Sequence, residues 1–142
     1  MAIRAQLAAG GTHDDLFYRP TVLADVPTHT PAFADEVFGP VAPVTTFSPL
    51  DQAVAIANDC QYGLPLGILS NNAMRALELA EPIPTGLVHI NDQTVADEAV
   101  IPFGGTGPSG NGARIGGVAA NLDAFTETQW LTAQSTLTIY PF

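Results

Sequence analysis

Positive charge is what this chain has least of: 4 Lys and Arg stand against 14 Asp and Glu, for a net charge of −10. Phosphate backbones and anionic lipid surfaces would both be repelled, so neither nucleic acid nor a membrane surface is an expected partner. Cysteine is nearly absent. Cys60 alone cannot form an internal disulfide, which fits a reducing, cytoplasmic compartment. The three histidines, His13, His29 and His89, are scattered, and none pairs with Cys or His at metal-ligand spacing. No metal is expected. No apolar run approaches the length of a membrane span. The first residues, Met1 to Gln6, lack the apolar stretch of a secretory signal, so none is expected.

What is present is ordinary globular composition, 46% hydrophobic over 142 residues, which suits one domain. A chain of this size should bury roughly two-thirds of its unfolded surface. Residues 1–19 are polar and show no clear element. Thr21 to Val26 reads as a strand between Pro20 and Pro27. Val41 to Phe47 reads as a second, and Pro43 puts it at a sheet edge or a bulge. Ser48 as cap, Pro49 at the first helical position and Asp51 mark a helix start. Leu50, Ala53, Val54 and Ala57 then form its apolar stripe, and Asn58-Asp59 ends it. Leu66 to Leu69 is a short strand. Asn71 caps a second helix with Ala73, Ala76, Leu77 and Ala80 on one face, stopped by Pro82. Gly86 to Ile90 is another strand. Residues 41–90 therefore alternate strand and helix, which implies an α/β fold with a mostly parallel sheet flanked by helices. Phe125 to Trp130 and Ser135 to Tyr140 alternate with period two. They predict terminal strands, at an edge or lent to another subunit.

Two motifs bear on chemistry. In Asp35-Glu36-Val37-Phe38-Gly39-Pro40, a carboxylate and an aromatic ring are spaced i and i+2. In an extended segment both point to one side. A carboxylate can accept from two sugar hydroxyls and a ring can pack on a flat base, so the pair suits a nucleoside. The competing reading is an acidic loop with Phe38 in the core. Gly105-Thr106-Gly107-Pro108-Ser109-Gly110 matches G-x-G-x-x-G. Its context fails the dinucleotide mechanism. Pro102 interrupts the preceding strand, Pro108 removes an amide donor, and Gly112, Gly116 and Gly117 weaken any helix that follows. Asp123, thirteen residues after Gly110, is too close to be the ribose-binding acid. A tightly turned loop near a site is the expectation.

Four blocks in order resemble the C-terminal part of an NAD(P)-dependent aldehyde dehydrogenase. They are Phe17 to Leu23, Asp35 to Val41, Ala57-Asn58-Asp59 with Tyr62-Gly63-Leu64, and Pro102 to Gly105 with Ser109-Gly110. The resemblance runs from about residue 5 to the end. It implies that Glu36 holds the nicotinamide ribose hydroxyls, that Phe38 lies against the nicotinamide of NAD or NADP, and that Phe103 lines the aldehyde tunnel. A core aromatic is the alternative for Phe103. It implies that residues 1–125 are part of the catalytic domain. Residues 126–142 would be an oligomerisation arm that pairs with another subunit, making a homo-oligomer. Asn91 to Thr94 and Gly104 to Gly110 resemble members acting on aromatic aldehydes such as benzaldehyde or vanillin.

This chain departs from the family in three places. Gly107 stands where Lys is usual, and Ala113-Arg114 where Arg-Glu is usual, so the acid some members use in a proton relay is absent. The family's nucleophilic cysteine, general-base glutamate and Rossmann domain lie upstream of the part this chain resembles. Cys60 cannot replace the nucleophile. It follows a helix C-terminus beside Asp59, where thiolate is not favoured. No catalytic residue is therefore expected here. The isolated chain is expected to be inactive, with a stand-alone oligomerising module as the alternative.

Overall fold

A computed structural model describes residues 5–141. Its N-terminal third is built on turns that need unusual backbone angles. Strand β1 (Gln6–Ala9) returns through a small hairpin, β2 (His13–Asp14) and β3 (Phe17–Tyr18), to β4 (Thr21–Ala24), which pairs antiparallel with β1. Gly10 and Gly11 both lie at φ +75°, and a Cβ on Gly10 would sit 2.2 Å from the Pro20 carbonyl. Only glycine takes that turn without strain. Buried Thr21 fastens it: its hydroxyl accepts from the Gly11 N–H and donates to the Arg19 carbonyl, both at 2.8 Å. The polar composition of residues 1–19 hid these strands.

β4 stops two residues earlier than its sequence suggests, because Asp25 turns the chain at φ +50°. Val26 then drops into the core at 1% exposure and donates to the Val44 carbonyl at 3.0 Å. A short helix α1 (Pro31–Ala34) precedes β5 (Val41–Pro43), which pairs parallel with β4 at the edge of the sheet. Pro43 lies on that edge strand, as its missing donor requires.

Helix α2 (Leu50–Asn58) starts one residue later than expected. Pro49 occupies the cap position, and Ser48 contributes no side-chain cap. Its N–H instead donates to the Gln52 Oε1 at 2.9 Å, one residue before the cap. Strand β6 (Pro65–Ile68), helix α3 (Ala73–Ala80) and strand β7 (Leu87–Ile90) follow, with β6 and β7 paired parallel. Asn72 caps α3, not Asn71: its Oδ1 accepts from the Arg75 N–H at 3.0 Å. The buried face of α3 is Ala76 and Ala80, while Leu77 is half exposed. β5 does not pair with β6, so the alternating segment forms two separate parallel ladders rather than one sheet.

Past β7 the expected pattern changes most. Helix α4 (Val118–Phe125) forms despite the glycines before it, because Gly117 (φ +72°) serves as its entry rather than as part of it. Phe125 therefore ends a helix instead of opening a strand. No residue from 126 to 141 joins a ladder. Period-two alternation yields a strand only where an edge is there to receive it. No helix among the described residues is long and apolar enough to cross a membrane.

The core is small. Val26, Ala76 and Ala80 are the buried hydrophobic residues among those described. The chain exposes 11272 Å². A 14.8 kDa folded monomer should expose about 7,000 Å² of some 21,000 Å² unfolded. Burial is thus about half, well below the two-thirds that length alone suggests.

Candidate functional site

Glu36 follows α1 directly, and its neighbour Asp35 ends that helix with an N–H donated to the Pro31 carbonyl at 2.9 Å. Beyond it the backbone does not run extended. The Gly39 N–H donates to the Val37 carbonyl, and the Val41 N–H to the Gly39 carbonyl, both at 2.8 Å. These are two consecutive three-residue turns, the first centred on Phe38. The extended run that would place Glu36 and Phe38 on one face is therefore interrupted at Phe38. Glu36 lines an open cavity of about 650 Å³ with Phe33, Val41, Cys60, Tyr62 and Ser109. Phe38 is outside that lining and 95% exposed, so it is not a core aromatic either. The one ion pair among the described residues is Arg75–Glu78. Glu36, on the cavity lining, takes part in no ion pair among the described residues.

Phe103 lies elsewhere. It bridges Ile115 through a pair of backbone bonds at 2.6 and 3.0 Å. Its half-buried ring lines a 260 Å³ cavity with Leu87, His89, Asp97 and Glu98. That lining has no residue in common with the Glu36 cavity.

The glycine-rich loop joins the two regions. Ser109, which lines the Glu36 cavity, accepts the Gly63 N–H on its hydroxyl at 3.1 Å. The Thr106 N–H donates to the Gly63 carbonyl at 2.9 Å. The Thr106 hydroxyl lies 3.0 Å from the Pro84 carbonyl and 3.2 Å from that of Gly63. A Cβ on Gly63 would stand 2.1 Å from this hydroxyl. The loop folds on itself as well: a Cβ on Gly105 would meet the Ser109 carbonyl at 2.2 Å, and one on Gly110 the Gly105 carbonyl at 2.2 Å. The N–H groups of Thr106, Ser109 and Gly110 are all used inside the protein. A three-residue 3-10 turn (Gly107–Ser109) stands where a phosphate-binding helix would have to start. The loop is the tight turn its prolines suggest, not a pyrophosphate cradle.

Arg114 completes this side. Its guanidinium donates to the Gly105 carbonyl at 3.2 Å and lies over Gly86 and Gly104. A Cβ on Gly86 would come within 1.8 Å of the Gly104 carbonyl. Cys60 sits just after α2, its N–H donated to the Ala57 carbonyl at 3.4 Å. Thr106, Ser109, Tyr62 and Arg114 drew no attention in the sequence as site residues. The side-chain partners of Thr106, Ser109 and Arg114 lie 9 to 46 residues away, beyond any local pattern.

Comparison with known proteins places this geometry. The model of the aldehyde dehydrogenase family matches residues 2–131. A vanillin dehydrogenase of Amycolatopsis sp. is 56% identical, over 97% of this chain and 28% of its own length. A benzaldehyde dehydrogenase [NAD(+)] of Pseudomonas putida is 43% identical, with the same coverage of 97% and 28%. The crystal structure of a salicylaldehyde dehydrogenase from Pseudomonas putida G7, complexed with salicylaldehyde, superposes with a TM-score of 0.83 at 37% identity. It covers 97% of this chain, which covers 28% of that one. The chain thus spans little more than a quarter of the length of the relatives it matches. It belongs to the aldehyde dehydrogenase family and corresponds to its C-terminal portion.

Proposed function

We propose that this chain supplies the cofactor clamp and one substrate wall of an NAD(P)-dependent dehydrogenase that oxidises an aromatic aldehyde to its acid. The observation that carries this reading is 56% identity to a vanillin dehydrogenase across 97% of the chain. Glu36, on the lining of a 650 Å³ cavity and in no ion pair among the described residues, suits the nicotinamide ribose. Its oxygens can accept from both ribose hydroxyls. The exposed ring of Phe38 is available to pack on the nicotinamide, and Phe103 gives the aldehyde an apolar wall. The nicotinamide, when bound, takes up the hydride. The part of these residues is to position the reactants and exclude water.

On this reading the chain is not catalytically competent alone. Its single cysteine, Cys60, does not stand in the context of the family's nucleophile, and positioning cannot replace one. Residues 126–142 would form the arm that joins subunits into a homo-oligomer. The scarcity of cysteine suits the cytoplasm.

A hybrid enzyme tests the assignment. This chain replaces the matching segment of the Amycolatopsis vanillin dehydrogenase, and NADH formation is followed with vanillin, benzaldehyde and a short aliphatic aldehyde. The expected kcat/KM for vanillin stays within about tenfold of the parent, or ~1.4 kcal/mol of transition-state stabilisation. A hybrid that prefers the aliphatic aldehyde contradicts the aromatic assignment.

A further inference from the structure

Oxidation of an aldehyde to its acid creates a charge. The aldehyde arrives neutral and the acid leaves as a carboxylate, beside a chain that already carries −10. A cation near the reacting centre would offset that repulsion. The chain has no lysine, and its permanent cations are Arg4, Arg19, Arg75 and Arg114. Arg4 lies outside the described residues. Arg19 is exposed beside the β2–β3 hairpin. Arg75 is exposed and already paired with Glu78 at 3.0 Å.

Arg114 differs from these. It is half-buried and in no ion pair among the described residues. The bridge between Phe103 and Ile115 puts those two side chains on one face, so Gly104 and Arg114 take the other. There the Arg114 Nη1 donates to the Gly105 carbonyl at 3.2 Å, and a Cβ on Gly104 or Gly86 would come within 2.7 or 3.0 Å of it. One carbonyl occupies one of the five guanidinium donors. A half-buried charge with only a neutral partner is costly. Its place is also distinctive. Gly86 lines the Phe103 cavity, and Gly105 packs on Ser109, which lines the Glu36 cavity. The guanidinium therefore stands where the two regions meet.

We propose that Arg114 binds the carboxylate of the aromatic acid that the reaction forms. With the nicotinamide at Glu36 and the aldehyde ring at Phe103, the reacting carbon has to reach the junction of the two cavities for hydride to pass. Arg114 stands at that junction. Its planar fork can donate two parallel hydrogen bonds to a carboxylate. A carboxylate there supplies the anionic partner that the guanidinium lacks. This position is one where the chain departs from its family's usual residue, so no role is carried over to it. The proposal rests on the placement of cofactor and aldehyde given above, but charge recognition is read separately from aldehyde preference.

Inhibition of the hybrid enzyme by benzoate and by benzamide tests it. The two have nearly the same shape and differ in charge. Benzoate is expected to inhibit at least about tenfold more strongly, an advantage that shrinks at high salt. In Arg114→Gln the Ki for benzoate should rise about tenfold or more, as for a lost charge-assisted bond, while that for benzamide stays within about twofold. Arg114→Lys keeps the charge without the fork and should lose less, about threefold. No preference for benzoate in the unsubstituted hybrid overturns the proposal, whether or not the variants fold. Equal losses for benzoate and benzamide in Arg114→Gln overturn it too, because they show only a loosened loop. If the hybrid prefers an aliphatic aldehyde, the aromatic reading fails, and the same comparison with acetate and acetamide still decides the role of Arg114.

Discussion

Residues 103–115 are tied to the segments just before β6 and β7 by hydrogen bonds of Thr106 and Ser109 with Gly63 and Pro84, whereas residues 36–39 are shaped by short turns of their own backbone. Both segments matter to the proposed site, yet their restraints differ in kind. The wall around Phe103 is preorganised, because the surrounding glycines leave no room for another arrangement. The Glu36 segment is open, and a bound ligand must itself order part of it, at a cost in side-chain and loop freedom. Substitutions in the first segment should therefore show up as lost stability. Those in the second should show up as lost cofactor affinity.

Gly86→Ala should have the largest effect. The new Cβ would lie 1.8 Å from the Gly104 carbonyl, and neither backbone can retreat. A local loss of about 3 kcal/mol is expected, read as faster amide exchange at Phe103 and Ile115 in the hybrid enzyme. Unchanged exchange would mean that the two segments are not in contact. Thr106→Val comes next. It keeps the backbone bond to Gly63 but removes the hydroxyl from the Pro84 and Gly63 carbonyls. A loss of about 1–2 kcal/mol at the same amides is expected. Phe38→Ala should be smallest in stability, within about 0.5 kcal/mol by thermal unfolding, since nothing packs on its ring. A loss well beyond that would mean the ring is buried in the assembled enzyme.

The parts of the fold that were legible in the sequence are those set by local chemistry. Pro43 announced an edge strand, Pro82 the end of α3, and Pro108 the failure of the glycine loop as a phosphate cradle. Caps slipped by one residue where two candidates stood side by side, as with Asn71 and Asn72. Leu77 shares the apolar stripe of α3 yet stays half exposed, because the small Ala76 and Ala80 make the close contact. The terminal segments alternate as strands do, but pairing depends on an edge that their own sequence does not contain. In the site, Glu36 was legible as an acceptor. Its separation from Phe38 was not, because a turn centred on Phe38 leaves no mark in the residue spacing. The link through Gly63, Thr106 and Ser109 joins residues 43 to 46 positions apart, which only the folded chain reveals.

The central claim is that Glu36 serves the cofactor while the Phe103 side serves the aldehyde. Glu36→Gln in the hybrid enzyme tests it most directly, with KM measured for NAD and for vanillin. The account predicts that KM for NAD rises about tenfold or more, as expected for a lost charge-assisted hydrogen bond of ~1.5 kcal/mol or above, while KM for vanillin is unchanged. An unchanged KM for NAD, or a rise confined to vanillin, would contradict it.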